Sequence, residues 1–325
     1  SGHFYDEIKD IRIYNSETLD VSDSQSVNFA MLECIAKEGS EKELGQTLMG
    51  GRRPFGYYSD NDYAKVRLSA QQAAKQAIVN LKAVAAPAGL FPVVVGPGWG
   101  GLLVHESVGH CLEADAVVNG TSVFGAELGV KIGSNLVTLL DDGTVARSRG
   151  SFNFDDEGNP AKKTVLIDRG VMTGFMTDRL SGKALGLEVS GNARRQSYRY
   201  VPLPRMSNTY IAAGESDPQE IISSVKKGVY AKNFSGGMVE HTTGNFTFTI
   251  TEGYLIQNGK LSAPIKKATL MGNGTRILAK VEMVGNDLRI DKKSGHCGKD
   301  GQTVYVGLGQ PTIKISEMTV GGTGN

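Results

Sequence analysis

The chain has 325 residues, with 35 Lys and Arg against 34 Asp and Glu and a formal net charge of +1. That length can bury a sizeable core and accommodates two domains. A near-zero charge leaves no field to hold a nucleic-acid backbone or an anionic membrane, so both functions are excluded.

Glycine stands out at 42 residues, about 13% against an average near 7%. The glycines are dispersed, as expected for many tight turns between short strands. Cys34, Cys111 and Cys297 are odd in number and widely spaced. They do not read as a disulfide framework, and a reducing, cytoplasmic setting is expected. The opening Ser1-Gly2-His3 has no Met and no signal-like run, and reads as a trimmed or tagged start.

In chain order, residues 3 to about 60 read as short strands, such as Ile11 to Tyr14 and Phe29 to Ile35. A helix is expected over Ser69 to Val84, with Ser69 and Gln72 at capping-box spacing, and Pro87 beyond its end. Residues 83–104 carry no charge and are long enough to span a bilayer. Pro87, Pro92, Pro97 and five glycines argue instead for a buried strand, Phe91 to Val95, and a loop. A soluble protein of two regions follows: 1–86, mainly β with one helix, and 87–325, which holds the chemistry.

Beyond the Gly96 to Gly101 turn lies an apolar segment, Leu102 to Leu112. Strands are then expected at Leu136 to Leu140, Thr164 to Asp168 and Gly174 to Thr177. Asp217, Pro218 and Gly228 mark a helix as N-cap, first position and stop. Phe246 to Ile250, Tyr254 to Gln257 and Leu261 onward form a meander turned by Asn258-Gly259. Runs of strands with few helices give an α+β class, β-rich with mixed or antiparallel sheets.

The chemistry concentrates in His105-Glu106-Ser107-Val108-Gly109-His110, an H-E-x-x-x-H. Two imidazoles and a glutamate in an apolar stretch suit a metal and a base for its water. The familiar zinc-peptidase spacing is one residue shorter. Positions five apart on a regular helix diverge by roughly 140°, so a π-type bulge or an unwound turn is expected here, eased by Gly109. The competing reading of these histidines is ordinary polar positions near a helix start. Gly96-Pro97-Gly98-Trp99-Gly100-Gly101 also fits G-x-G-x-x-G. No second parallel strand with a terminal acid follows it, and the glycines more simply let the loop pass close to the metal helix.

A catalytic zinc site needs a third ligand. Cys111, Glu113, Asp115, His241, His296 and Cys297 are the candidates, and residue types alone do not choose among them. Glu113, three residues after His110, suits a ligand or an acceptor for an imidazole N–H. Cys111 suits a buried structural thiol, and Cys34 and His241 structural positions in strands. Cys297 lies between glycines that let the backbone present a thiolate.

These residues resemble the TldD/PmbA family. The matching runs are H-E-S-V-G-H-C-L-E-A-D from His105, G-T-S-V-F from Gly120, D-D-G-T from Asp141, and D-D-E-G from Asp155. They continue with G-N-A-R-R-Q-S-Y from Gly191, P-R-M-S-N-T-Y from Pro204, M-V-G-N-D-L from Met283, C-G-K-D-G-Q from Cys297, and M-T-V-G-G-T from Met318. The likeness covers residues 50 to 323 and more faintly the first 50. It implies a metallopeptidase with His105, His110 and Cys297 as metal ligands and Glu106 as general base, acting on unfolded or short peptides in an enclosed site. It further implies a dimer, of like subunits or with a TldE/PmbA-type partner that lacks the metal motif. Family members carry an additional N-terminal α/β region, so the resemblance implies an N-terminally truncated chain. The region 87–325 is then the C-terminal metallopeptidase domain.

Two imidazoles and a thiolate leave a divalent ion positively charged, and a soft donor favours Zn with Fe(II) as second choice. Arg194, Arg195 and Tyr198 are candidate oxyanion donors, and an exposed sheet edge could hold a peptide by strand pairing. Alternatives are a metal-dependent amidase acting on small molecules and a non-catalytic scaffold or regulatory subunit with a structural metal.

Overall fold

The structure is a computed structural model that describes residues 1–125, 127–240, 242–291 and 295–323. The first three strands, Gly2–Tyr14, Asp20–Glu38 and Glu41–Gly51, form an antiparallel meander. A helix, Gly56–Leu81, packs on it and buries Tyr58, Ala73 and Ala77. Residues 60–63 depart from helical geometry, so the regular part begins at Ala64. The helix thus starts before Ser69 and ends before Val84. Ser69 is no cap: it is buried inside the helix, and its hydroxyl donates to Thr47 Oγ1 at 2.8 Å. Packing against the sheet, which a capping pattern does not see, sets these limits.

The uncharged segment resolves into two strands, a loop and the start of a short helix. Val84–Ala85 and Gly89–Val95 enter a second, eight-stranded sheet. There Gly89–Val95 lies between Lys227–Glu240, parallel, and Ile313–Gly321, antiparallel. Lys227–Glu240 also pairs with Asn245–Gln257, so five strands close on themselves around Val93, Val95, Phe246, Phe248 and Leu270. No helix among the described residues is long and apolar enough to cross a membrane.

A third sheet runs from Arg289–Ile290 through Gln302–Gln310, Asn208–Ile211, Leu139–Asp142 and Lys163–Asp168 to Val171–Met172, with Gly295–Lys299 also pairing to Gln302–Gln310. Strand-rich mixed sheets with few helices agree with the expected α+β class. The Asn258-Gly259 turn is present, with φ of 49° and 76°, both positive as a type I′ hairpin requires.

Several elements differ from expectation. The strand expected at Leu136 to Leu140 is Leu139–Asp142. Asp141 sits inside it because Ser207, Thr209 and Asn192 all donate to its buried carboxylate. Residues 174–177 are a loop with one bridge from Met176 to Glu113. Asp217 does cap a helix with Pro218 at its start, but that helix ends at Ser223, and Gly228 lies in the next strand. The G-x-G-x-x-G loop does not open a long helix for a dinucleotide. A Cβ on Gly101 would lie 2.6 Å from the backbone N of Gly309, so the glycine is there to let the loop touch the third sheet.

Candidate metal centre

Leu102, Leu103 and Val104 bury the first turn of a short helix, Leu102–Ser107. Ser107 Oγ donates back to Leu103 O at 2.6 Å, a bond that competes with continued helix. Val108, at φ −130° and ψ −47°, leaves helical geometry, and a 3₁₀ turn follows over Gly109–Leu112. The extra residue of H-E-x-x-x-H is therefore absorbed by a break and an unwound turn; the π-type bulge is not what forms. Gly109 is needed at the break, because a Cβ there would collide with Met206 Sδ.

The break turns both histidines to one point. The rings of His105 and His110 stand edge to face with centroids 5.2 Å apart. Cys297 arrives on the strand Gly295–Lys299, where side chains alternate between buried and outward positions. One ligand atom from each of His105, His110 and Cys297 lies within 4.8 Å of the others, and all three residues are buried. Cys297 Sγ is 3.3 Å from His110 Nε2.

The surroundings orient this cluster. His110 Nδ1 is 3.0 Å from Glu113 Oε2, which directs Nε2 toward the thiolate, the arrangement common behind metal-binding histidines. Lys299 Nζ donates to the same Glu113 oxygen at 3.0 Å and to Asp115 Oδ1 at 2.7 Å. Arg205, fully buried, donates to Cys297 O, and its Nε lies 3.8 Å from Glu113 Oε1. Glu106 Oε2 is 3.8 Å from His110 Nε2.

The charges respond as this geometry requires. Burial alone would push the Cys297 thiol up, but the adjacent His110 and His105 outweigh it and bring it down to about 5. Burial opposes a charged His110, yet Glu113 and Cys297 on either side hold its pKa well above the usual imidazole value. Burial would likewise raise Glu113, and His110, Lys299 and Arg205 hold it at about 2. At Cys111 burial, with Glu113 nearby, pushes the thiol up to about 12.

His105 Nδ1 is buried and finds no hydrogen-bond partner among the described residues. Three convergent N and S donors, an unsatisfied imidazole nitrogen and a fixed tautomer at His110 fit a divalent metal ion with a coordination position to spare. The donor set suits zinc or Fe(II). His105 and Glu106 line a cleft of about 660 Å³ together with Leu48, Gln76, Trp99, Phe234, Gly236 and His296.

Other sequence candidates lie elsewhere. Asp115 binds Lys299, and His296 points from the opposite face of the Cys297 strand toward Arg149. Cys34 Sγ faces Ala70 O at 3.8 Å on the first sheet, and His241 lies outside the described residues. Arg194 is buried and donates to Met206 O and Tyr305 O. Arg195 pairs with Asp156 at 3.6 Å, and Tyr198 is 79% exposed against Arg199. None of these three lines the cleft. Lys299 and Arg205 were missed by the sequence reading. Lys299 had one available signal: two residues after Cys297 on a strand, it shares that face.

Residues 88–322 match the PmbA/TldA metallopeptidase C-terminal domain. A metalloprotease TldD homolog of Haemophilus influenzae is 46% identical over 90% of this chain and 61% of its own length. A zinc metalloprotease TldD homolog of Saccharolobus solfataricus is 34% identical over 98% of this chain and 70% of its own. The crystal structure of TldE from Thermococcus kodakarensis superposes with a TM-score of 0.76 at 22% identity, covering 95% of this chain and 66% of that one, a likeness of fold. The chain spans about three fifths of the length of the first curated relatives it matches.

Proposed function

The chain belongs to the PmbA/TldD metallopeptidase family, and from that premise we propose that it binds one divalent metal on His105, His110 and Cys297 and hydrolyses peptide bonds with Glu106 as general base. The observation that carries this is the convergence of three buried ligand atoms within 4.8 Å at the wall of a cleft that also holds Glu106. Zinc, with Fe(II) as second choice, would supply Lewis acidity there, polarising a carbonyl and acidifying water. Glu106 takes the proton of the attacking water and returns it to the leaving amine. Glu113 keeps His110 in one tautomer, and Lys299 and Arg205 keep Glu113 ionised and in place.

A cleft of about 660 Å³ is in the range that encloses a small ligand. It suits a few residues of extended chain, hence unfolded or short peptides. The strand Lys227–Glu240, whose pairing shifts register between Ala231 and Gly236, runs along it and offers backbone groups for strand pairing with little sequence preference. The proposal includes residues 1–86 as a separate unit carrying the opposite wall, a cytoplasmic location, and a dimer, either of like chains or with a TldE-like subunit. Ile8, Tyr14 and Ile35, each more than 60% exposed on the first sheet, are apolar surface available to such a partner.

Metal analysis of the purified chain beside Cys297→Ser, with peptide cleavage by the parent and Glu106→Gln chains, tests the proposal. Stoichiometric metal lost in Cys297→Ser, and cleavage lost with metal kept in Glu106→Gln, is the expected result. Undiminished cleavage by Glu106→Gln overturns the general-base assignment, and metal retention by Cys297→Ser overturns the ligand set.

A further inference from the structure

Arg149 is 4% exposed, and a buried guanidinium remains charged under all ordinary conditions. Its plane is held between the rings of Phe29 at 4.8 Å and Tyr305 at 4.4 Å. Nη2 donates to His296 Nε2 at 3.2 Å. Nε and Nη1 are buried with no hydrogen-bond partner among the described residues. Glu7, the nearby acid, already accepts from the Tyr5 and Tyr305 hydroxyls. Burial brings Arg149 down to about 10, against the opposing effect of Tyr305, Tyr5 and Tyr58.

A second arginine shows the same deficit. Arg53 stacks on Tyr57 at 4.8 Å, and its buried Nε also finds no hydrogen-bond partner among the described residues. Arg53 and Arg149 line one small cavity of about 80 Å³, together with Arg147, Ser148 and Asp291. Three arginines against one carboxylate make the cavity electropositive. Its volume is that of two or three water molecules at about 30 Å³ each, room for a carboxylate group and little more. An unpaired buried charge is among the costliest features a fold can keep, and the planar fork of arginine is matched to oxyanions.

We infer that this cavity is a carboxylate-binding site, filled by the C-terminal carboxylate or an acidic side chain of a bound peptide. The inference rests on the peptide-cleaving reading above. His296, which takes the hydrogen bond from Arg149, lines the cleft containing His105 and Glu106, so Arg149 stands one side chain behind that cleft. A peptide lying in the cleft thereby reaches Arg149 past a single side chain.

The experiment measures binding, so that it stands apart from turnover. Three alanine-rich pentapeptides with the same N-terminal dye are titrated into the metal-loaded Glu106→Gln chain: one with a free C-terminus, one amidated, and one amidated with an internal Asp. Fluorescence anisotropy is expected to show a carboxylate peptide binding about tenfold tighter than the neutral one, as a charge-assisted hydrogen bond supplies. Which of the two acidic peptides gains identifies the source of the carboxylate. Arg53→Gln and Arg149→Lys, added singly, are expected to bring that ratio close to one while binding of the neutral peptide stays unchanged. Circular dichroism verifies their folding, and Arg53, being partly exposed, is the safer of the two positions. Equal binding of all three peptides overturns the carboxylate site and leaves the peptidase reading standing, as does an advantage that survives both substitutions. Binding of none overturns both.

Discussion

The strand Gly295–Lys299 separates two regions built on opposite principles. On its inner face Cys297 and Lys299 join a network in which charges meet opposite charges: Lys299 with Glu113 and Asp115, Glu113 with His110 and Arg205, Cys297 with His110. On its outer face His296 meets Arg149, which is stacked on aromatic rings and left with two bare donors. Strand alternation alone puts these chemistries one residue apart. On the inner face opposite charges adjoin one another, although Arg205 Nε and Nη1 also lack hydrogen-bond partners among the described residues. Nitrogen and sulfur ligand atoms converge there on a common point, which is what a cation needs. The outer face leaves Arg149 Nε and Nη1 without acceptors among the described residues, which is what an anion needs.

The largest effects are expected where the inner face is opened directly. Cys297→Ser removes the soft donor, and zinc affinity is expected to fall by more than about 100-fold, the upper end of what outer positions produce, as read by competition with a chromophoric chelator. Glu106→Gln should instead leave that affinity within about threefold while cutting peptide cleavage by about 10²- to 10⁴-fold, the range of a lost general base. Equal loss of metal in both variants would erase the distinction between ligand and base.

Lys299→Met probes the network one step out. With Glu113 released on one side, zinc affinity should drop by about 10- to 100-fold, with Lys299→Arg recovering most of it. The charge state of the metal-free cluster gives a subtler signal. Cys297, lowered to about 5, is a thiolate at pH 7, while His110, raised well above its usual value, still carries its proton. Zinc must displace that proton, so about one proton should be released per ion bound at pH 7. Affinity should then weaken as pH falls, by about tenfold per unit. Calorimetry in buffers of different ionisation enthalpy checks this, and release of none would mean that His110 is already neutral beside an ionised Cys297.

The comparison also shows what the sequence could reveal. His105, Glu106 and His110 were legible because two histidines and a glutamate in an apolar run are costly unless used. The break at Val108 was legible as a necessity of spacing, though not in its form. His296 and Cys297 could not be told apart by residue type, and the family resemblance made the choice; strand parity assigns them to opposite faces. Arg205, Lys299 and Arg149 were opaque for another reason. Their partners lie 92, 186 and 147 residues away in the chain, so only the topology of the third sheet brings them together. Element limits missed at Ser69 and Gly228 have the same cause, since packing against a distant sheet overrode local signals.

The smallest expected effect discriminates best between the two faces. Arg205 and Arg149 are both buried arginines with Nε and Nη1 lacking hydrogen-bond partners among the described residues. Arg205, however, is anchored to Cys297 O and sits beside Glu113, whereas Arg149 meets an imidazole and two rings. Breaking a buried ionic contact strands the remaining charge, so Arg205→Met should lower stability by about 3 kcal/mol. Arg149→Met replaces an unpaired charge by an apolar chain of similar length that still packs against Phe29 and Tyr305, and its change should stay within about 1 kcal/mol. Urea unfolding of the metal-free chains reads both values without reference to activity. A loss at Arg149 as large as that at Arg205 would mean that its nitrogens are satisfied within the fold, and the outer face would then have no donors left to offer a carboxylate.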